Sequence, residues 1–168
     1  MEGLRVLEVG CGRGIGVDLL LGQFRAAYVC GIDLDCRQIE RARKLLTRRY
    51  DGRFSLAVAN IERLPFADAK FEAVFDFGAL HHLPIWQAGV AEIRRVLKPG
   101  GTFLFEEVTK VALNRWLYRT FLEHPTENRF SIPEFVAELT KHGLESAAAP
   151  RTILFGDIFI GSARLSEC

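Results

Sequence analysis

Cysteine, net charge and long hydrophobic runs are all scarce in this sequence, and each shortage excludes a class of protein. The 168 residues include 22 lysines and arginines against 21 aspartates and glutamates, which leaves a formal net charge of +1. This balance excludes a strongly cationic protein that is held on nucleic acid mainly through phosphate contacts. No apolar run approaches the ~18 residues that a membrane-spanning helix needs. We therefore expect neither nucleic acid as a partner nor a membrane span.

The four cysteines, Cys11, Cys30, Cys36 and Cys168, form no Cys-x-x-Cys pair and no cluster with histidines. This spacing favours reduced thiols over a disulfide framework, and it fits no common metal loop, so no metal is predicted. Only three residues precede the first predicted strand. We therefore expect no signal or transit peptide and a cytoplasmic location.

Length and a hydrophobic content of 49% predict one globular domain over residues 1–168. Strands are predicted over 4–10, 26–34, 54–60, 71–78 and 102–108, with two more after residue 143 as a hairpin. Helices are predicted over 14–24, 36–50, 85–97, 111–124 and 131–143, with a break at 98–101. The alternation predicts an α/β fold with a doubly wound, mostly parallel sheet and one antiparallel strand from the hairpin.

A glycine-rich segment, Glu8-Val9-Gly10-Cys11-Gly12-Arg13-Gly14, lies between the first predicted strand and its helix. Glycines there permit a tight turn and a close backbone approach, and the helix N-terminus offers free N–H groups. A nicotinamide-binding loop reads GxGxxG, whereas this segment reads GxGxG and has Ile15 at the third glycine position. Glu8 disfavours a pyrophosphate and favours a ligand with a cationic amino group. The alternative is a tight turn that binds nothing.

Polar side chains also follow the next two predicted strands. Asp33 ends the second strand, where a carboxylate is placed to accept hydrogen bonds from both hydroxyls of a ribose. The alternative for Asp33 is a solvated acid at a strand end, and Asp35 is predicted to cap the following helix. Asn60 ends the third strand, where its amide is placed to hydrogen-bond the edge of an adenine.

Two further segments complete a series of five motifs. They are Phe77-Gly78-Ala79-Leu80-His81-His82-Leu83 after the fourth strand and Lys98-Pro99-Gly100-Gly101 before the fifth. The order of the five resembles the class I S-adenosylmethionine-dependent methyltransferases, above all the small-molecule branch with the ubiquinone and menaquinone C-methyltransferases. The resemblance implies a Rossmann-like sheet of seven strands. It also implies an enzyme that moves the methyl group of S-adenosylmethionine to a small organic acceptor and leaves S-adenosylhomocysteine.

The resemblance further implies which residues bind S-adenosylmethionine. The first loop is expected around the methionine portion, Asp33 at the ribose and Leu34 beside the adenine. The strand-four exit is expected beneath the sulfonium. The implied cofactor-binding set is Glu8, Gly10, Cys11, Gly12, Gly14, Asp33, Leu34, Asn60, Ile61, Phe77 and Gly78.

The sequence departs from the family pattern at two places. The family usually has an aspartate where Asn60 stands, and an amide accepts hydrogen bonds without charge, which predicts weaker cofactor binding. The family also usually has helices before the first strand, where this sequence has three residues. This difference predicts an open site, unless a second copy, a partner chain or the segment 107–130 covers it. A non-catalytic S-adenosylmethionine-binding module, or one part of a complex, is the alternative function.

Methyl transfer from a sulfonium mainly requires alignment of donor and acceptor and exclusion of water. For a hydroxyl or an acidic carbon a general base helps, and His82 is the first candidate. The residues predicted to face the acceptor are His81, Arg115, Trp116 and Arg119. The alternatives are packing within the loop for the histidines and a core helix for the segment 107–130. The basic run over 37–49 is interpreted as a solvated helix face, and the alternative is a docking surface for nucleic acid or an anionic membrane.

Overall fold

Strands and helices alternate along most of the chain in the computed structural model, which describes residues 3–109, 112 and 128–167. The strands are β1 Arg5–Val9, β2 Tyr28–Asp33, β3 Phe54–Val58, β4 Phe71–Phe77, β5 Leu97–Val108, β6 Leu144–Glu145, β7 Arg151–Ile153 and β8 Ile158–Leu165. The helices are α1 Ile15–Gly22, α2 Cys36–Leu46, α3 Trp86–Val96 and α4 Ile132–Lys141, with short 3-10 turns at Leu80–His82 and Leu154–Gly156. The predicted helix over 111–124 lies outside the described residues, apart from Ala112.

All the described strands form one sheet in the order β3-β2-β1-β4-β5-β8-β6, with β7 also paired to β8. The first five strands in this order are parallel, and β8 is antiparallel to β5. β6 and β7 pair with opposite ends of β8, Leu144 with Leu165 and Ile153 with Ile158. The two short strands therefore share the seventh position of the sheet. The predicted doubly wound, mostly parallel sheet of seven positions is confirmed, with its edge strand divided in two.

The start of β5 differs from the prediction. β5 begins at Leu97, directly after α3, and not at residue 102. Leu97 pairs with Phe71 and Thr102 with Ala73, so the Lys98-Pro-Gly-Gly segment forms an irregular strand start instead of a loop. A bulge of this kind adds residues on one strand without ending the pairing.

The predicted cap of α2 is present, and both ends of α4 are capped as well. The Asp35 carboxylate accepts a hydrogen bond from Arg37 N at the start of α2. Ser131 and Glu134 form a reciprocal capping box at the start of α4. Gly143 follows α4 with a φ of 71°, a left-handed conformation that favours glycine after a helix end.

Apolar side chains cover both faces of the sheet. On one face α3 and α4 enclose an aromatic cluster of Trp86, Phe105, Phe130, Phe135 and Phe159. On the other face α1 and α2 pack on Val6, Val29, Ala73 and Phe75. Burial on both sides shields the carboxyl ends of the central strands from water.

The described part contains three cysteines, Cys11, Cys30 and Cys36, and none of them is in a disulfide bond. None of the helices that the structure describes combines the length and the hydropathy of a membrane span.

Arg95 in α3 fixes the loop between β3 and β4. Its guanidinium donates hydrogen bonds to the carboxylates of Glu92 and Asp68 and to the carbonyl oxygens of Phe66 and Leu64, at 2.7–3.0 Å. Because one planar guanidinium donates to two carbonyl oxygens and two carboxylates, Arg95 alone makes contacts that would otherwise need several side chains.

Replacing Arg95→Met is expected to lower the free energy of unfolding by about 1–3 kcal/mol, because the carbonyl oxygens lose their donors. Urea unfolding measures the difference. The matched control is Arg94→Met, one residue earlier in the same helix, where the side chain is exposed. Equal stability of the two variants would contradict the role given to Arg95.

Candidate cofactor site at the carboxyl edge of the sheet

The loops after the first four strands meet at one edge of the sheet and enclose two adjoining cavities of about 460 Å³ and 380 Å³. The larger cavity is lined, among the predicted residues, by Gly10, Asp33, Leu34, Asn60, Ile61 and Gly78. The smaller cavity is lined by Glu8, Gly10, Cys11, Gly12 and Phe77. Gly10 borders both. The site lies where β1 neighbours both β2 and β4, which is the switch point at which ligands bind in open α/β sheets.

Gly10 and Gly14 are required for packing. Gly10 has a φ of 66°, and a Cβ built there would lie 2.3 Å from the Cβ of Ala79. Gly14 precedes α1 with a φ of 87°, and its Cβ would lie 2.9 Å from the Cβ of Ala42. Gly14 lines neither cavity, so its contact with α2 accounts for its presence.

Asp33 holds the glycine loop as well as facing the larger cavity. One carboxylate oxygen accepts a hydrogen bond from Gly12 N at 2.8 Å, and the other accepts one from Asp35 N at 2.9 Å. Each carboxylate oxygen has a second lone pair, so these contacts leave acceptor capacity for two ligand hydroxyls.

Asn60 makes local contacts that the sequence did not predict. Its Oδ1 accepts a hydrogen bond from Glu62 N at 2.9 Å, and its Nδ2 lies 3.4 Å from a Glu62 carboxylate oxygen. The other Glu62 oxygen accepts from Ile85 N at 2.9 Å. Glu62 therefore adds a carboxylate to the cavity, to which Asn60 contributes only an amide. The only signal for this in the sequence was an acidic residue two positions after Asn60.

Glu8 is a buried carboxyl with an unsatisfied oxygen. Its side chain is 2% exposed, and among the described residues its Oε2 has no hydrogen-bond partner. Burial, followed by the nearby Asp76 and Asp33 carboxyls, raises the pKa of Glu8 to about 8. A Cβ at Gly16 would lie 2.1 Å from the other Glu8 oxygen, so Gly16 makes the space that this side chain occupies. A cationic ligand group in the smaller cavity would supply the missing partner.

The two adjacent histidines lie in different environments. His82 is exposed and lines the larger cavity. The His81 side chain is 5% exposed, and its Nδ1 lies 2.5 Å from a carboxylate oxygen of Glu107. Burial lowers the pKa of His81 to about 4. These contacts argue against the predicted contact of His81 with an acceptor, because the ring faces a buried carboxylate.

The remaining predicted acceptor residues, Arg115, Trp116 and Arg119, lie outside the described residues. Within the described part of the chain, no group of three histidine, cysteine, aspartate or glutamate side chains is arranged to hold a metal ion.

A family model described as a methyltransferase domain matches residues 7–105. The chain is 37% identical to a fatty-acid O-methyltransferase of Mycolicibacterium smegmatis over 107 residues, which cover 64% of this chain and 38% of that protein. It is 35% identical to a sterol 24-C-methyltransferase of Gibberella zeae over 102 residues, which cover 60% of this chain and 27% of that protein. The matched segment thus spans less than half the length of either relative.

The fold is also similar to solved structures of methyltransferases. An S-adenosylmethionine-dependent methyltransferase from Mesorhizobium loti superimposes with a TM-score of 0.80 over 97% of this chain and 91% of that chain, at 18% identity. At this identity the likeness concerns the fold, whereas the family match rests on sequence across more than half of the chain. The chain therefore belongs to the methyltransferase domain family.

Proposed function

We propose that this chain transfers the methyl group of S-adenosylmethionine to a small organic acceptor of lipid-like character. The observation that carries the proposal is the buried Glu8 carboxyl, which lines a cavity beside the glycine loop and has one oxygen without a partner among the described residues. The relatives named above act on fatty acids and on sterols, which supports an apolar acceptor.

The residues of the two cavities fit S-adenosylmethionine in charge and polarity. Glu8 offers a carboxylate for the α-amino group, and Asp33 retains acceptor capacity for ribose hydroxyls. Leu34, 72% exposed, and Ile61 offer apolar surface for an adenine. When bound, S-adenosylmethionine supplies an electrophilic methyl group on a sulfonium.

The protein's part in the reaction is to orient groups and to keep a fixed cavity shape. Gly10 permits the loop to approach the turn that contains Ala79, and Asp33 holds Gly12 in place. The wall of the larger cavity includes His82, to which we assign the acceptance of a proton from a hydroxyl or an acidic carbon. A carboxylate acceptor is already ionised and needs no such base.

Several finer points remain predictions. They are the single domain over residues 1–168, a cytoplasmic location, and a second copy or a partner chain over the site. The non-catalytic alternative is tested directly by turnover. A chain that binds S-adenosylhomocysteine but forms none from S-adenosylmethionine with any fatty acid, sterol or lipid extract would favour a binding module.

Replacing Glu8→Gln is expected to weaken binding of S-adenosylhomocysteine by about 10- to 100-fold, because a neutral amide replaces a charge-assisted partner of the amino group. Isothermal titration calorimetry measures the affinity. Glu40→Gln, an exposed position in α2, is the matched control and should bind as the wild type does. NAD should cause no binding heat in any of the three proteins.

The Glu8 carboxyl also predicts that the affinity for S-adenosylhomocysteine depends on pH. Ionisation of Glu8 favours an amino cation, so affinity should rise as the pH increases from about 6 to about 8 and then level off. The Glu8→Gln variant should lack this rise. The stability of the ligand-free chain depends on pH with the opposite sign. Because folding raises the pKa of Glu8, its contribution to stability falls as the pH rises from 4.5 through about 8. Wild-type binding that is tight and flat across this range would contradict the assignment of Glu8.

Replacing His82→Asn is expected to lower kcat about 10²- to 10⁴-fold with a hydroxyl or carbon acceptor, because the proton acceptor is lost. Binding of S-adenosylhomocysteine should change little. Turnover assays with sterols and with fatty acids measure both classes of acceptor, and kcat for a carboxylate should be unaffected. His142→Asn in α4 is the control. An unchanged kcat with a hydroxyl acceptor would exclude His82 as the base.

A further inference from the structure

Three buried titratable side chains, Asp76, His81 and Glu107, lie together under the turn that follows β4. The proposed reaction uses none of them directly. Asp76 and Glu107 are both 0% exposed and come from β4 and β5, which are neighbouring parallel strands. Carboxyl groups buried at this depth need either a proton or several hydrogen-bond donors.

Glu107 is surrounded by donors. One of its carboxylate oxygens accepts hydrogen bonds from Leu80 N at 2.7 Å and from His81 N at 3.3 Å. The other lies 2.5 Å from His81 Nδ1 and 3.2 Å from Val108 N. An ionised carboxylate accepts all four contacts, which requires that His81 carries its proton on Nδ1. Burial raises the pKa of Glu107 to about 7, and these hydrogen bonds oppose that rise, so we assign the charge of the cluster to Glu107.

Asp76 has the opposite environment. Its Oδ1 accepts a hydrogen bond from Ala79 N at 2.8 Å, whereas its Oδ2 has no donor among the described residues. Burial and the adjacent Glu107 carboxyl raise the pKa of Asp76 well above its usual range. A proton on Asp76 Oδ2 that is donated to Glu107 satisfies both carboxyls. The cluster then holds a neutral Asp76, an ionised Glu107 and a neutral His81.

These contacts fix a wall of the cofactor site. The turn between β4 and α3 is held by Asp76 at Ala79 and by Glu107 at Leu80 and His81. Ala79 lines the larger cavity and packs against Gly10, and the His82 ring lies 4.1 Å from the His81 ring, measured between centroids. A shift of the turn would therefore move Ala79 and His82 together.

We propose that Glu107 is a positioning residue of this site: its carboxylate, with a proton held by Asp76, fixes the turn at 79–82 and the Nδ1-protonated form of His81. The position of Ala79 and His82 toward the cofactor follows from that arrangement. The effect on binding rests on the proposed function, whereas the hydrogen-bond arrangement itself does not.

Two isosteric variants separate this arrangement from a merely structural role. In Asp76→Asn the amide nitrogen donates to Glu107 and the amide oxygen accepts from Ala79 N, which reproduces the protonated acid. S-adenosylhomocysteine should then bind within about twofold of the wild type. In Glu107→Gln the amide nitrogen faces N–H donors, and affinity should fall at least about tenfold. Calorimetry measures both affinities.

The second measurement is the tautomer of His81, read from the nitrogen chemical shifts of its ring by NMR. The wild type and Asp76→Asn should both show the Nδ1-protonated form, and Glu107→Gln should lose it. Because the wild-type spectrum and the Asp76→Asn variant do not depend on whether Glu107→Gln folds, they test the arrangement alone.

Either of two results would overturn the proposal. The first is an Nε2-protonated His81 in the wild type, and the second is a loss of affinity in Asp76→Asn as large as in Glu107→Gln. A wild-type chain that binds no S-adenosylhomocysteine would instead contradict the proposed function and remove the predicted effect on affinity. The ring spectra would still confirm or exclude the hydrogen-bond arrangement.

Discussion

Three carboxyl groups are buried at the carboxyl ends of neighbouring strands, and the cost of burying their charge determines how this edge of the sheet is built. Each group meets that cost differently. Glu107 is surrounded by four donors, Asp76 holds a proton in the proposed arrangement, and Glu8 keeps an oxygen without a partner among the described residues. The first two arrangements are satisfied within the protein. In the proposed function the third is completed by the amino cation of the ligand, which is why we assign the cofactor site to Glu8.

The same carboxylates attach the loops to one another. Asp33 connects the end of β2 to Gly12, and Glu107 connects β5 to the turn after β4, in each case through backbone N–H groups. Backbone donors have fixed directions, so a carboxylate that accepts them sets loop geometry more firmly than an exposed ion pair does. The glycine loop and the histidine turn then meet at Gly10 and Ala79, and the cavity takes its shape from that contact.

Much of this architecture could be predicted from the sequence, because local patterns encode it. Apolar runs that alternate with helical patterns predicted the parallel sheet, and the glycine spacing with Glu8 and Asp33 predicted residues that line the two cavities. The pairing of His81 with Glu107 could not be predicted, since it depends on the register of β4 against β5. The strand start at Leu97 was missed because Pro and Gly usually end strand pairing. Here they lie in a bulge, and the strand pairing continues on both sides of it. The contacts of Asn60 with Glu62 depend on a loop conformation that short motifs do not specify.

In the proposed function, Glu8, Asp33 and the turn at Ala79 enclose S-adenosylmethionine at the switch point of the sheet. A crystal structure of the 168-residue chain with S-adenosylhomocysteine tests it most directly. We expect the amino group of S-adenosylhomocysteine at the Glu8 carboxylate and its ribose at Asp33. Its adenine should lie between Leu34 and Ile61. Glu107 should still be hydrogen-bonded to His81. A ligand bound elsewhere on the chain, or one whose amino group points away from Glu8, would contradict it.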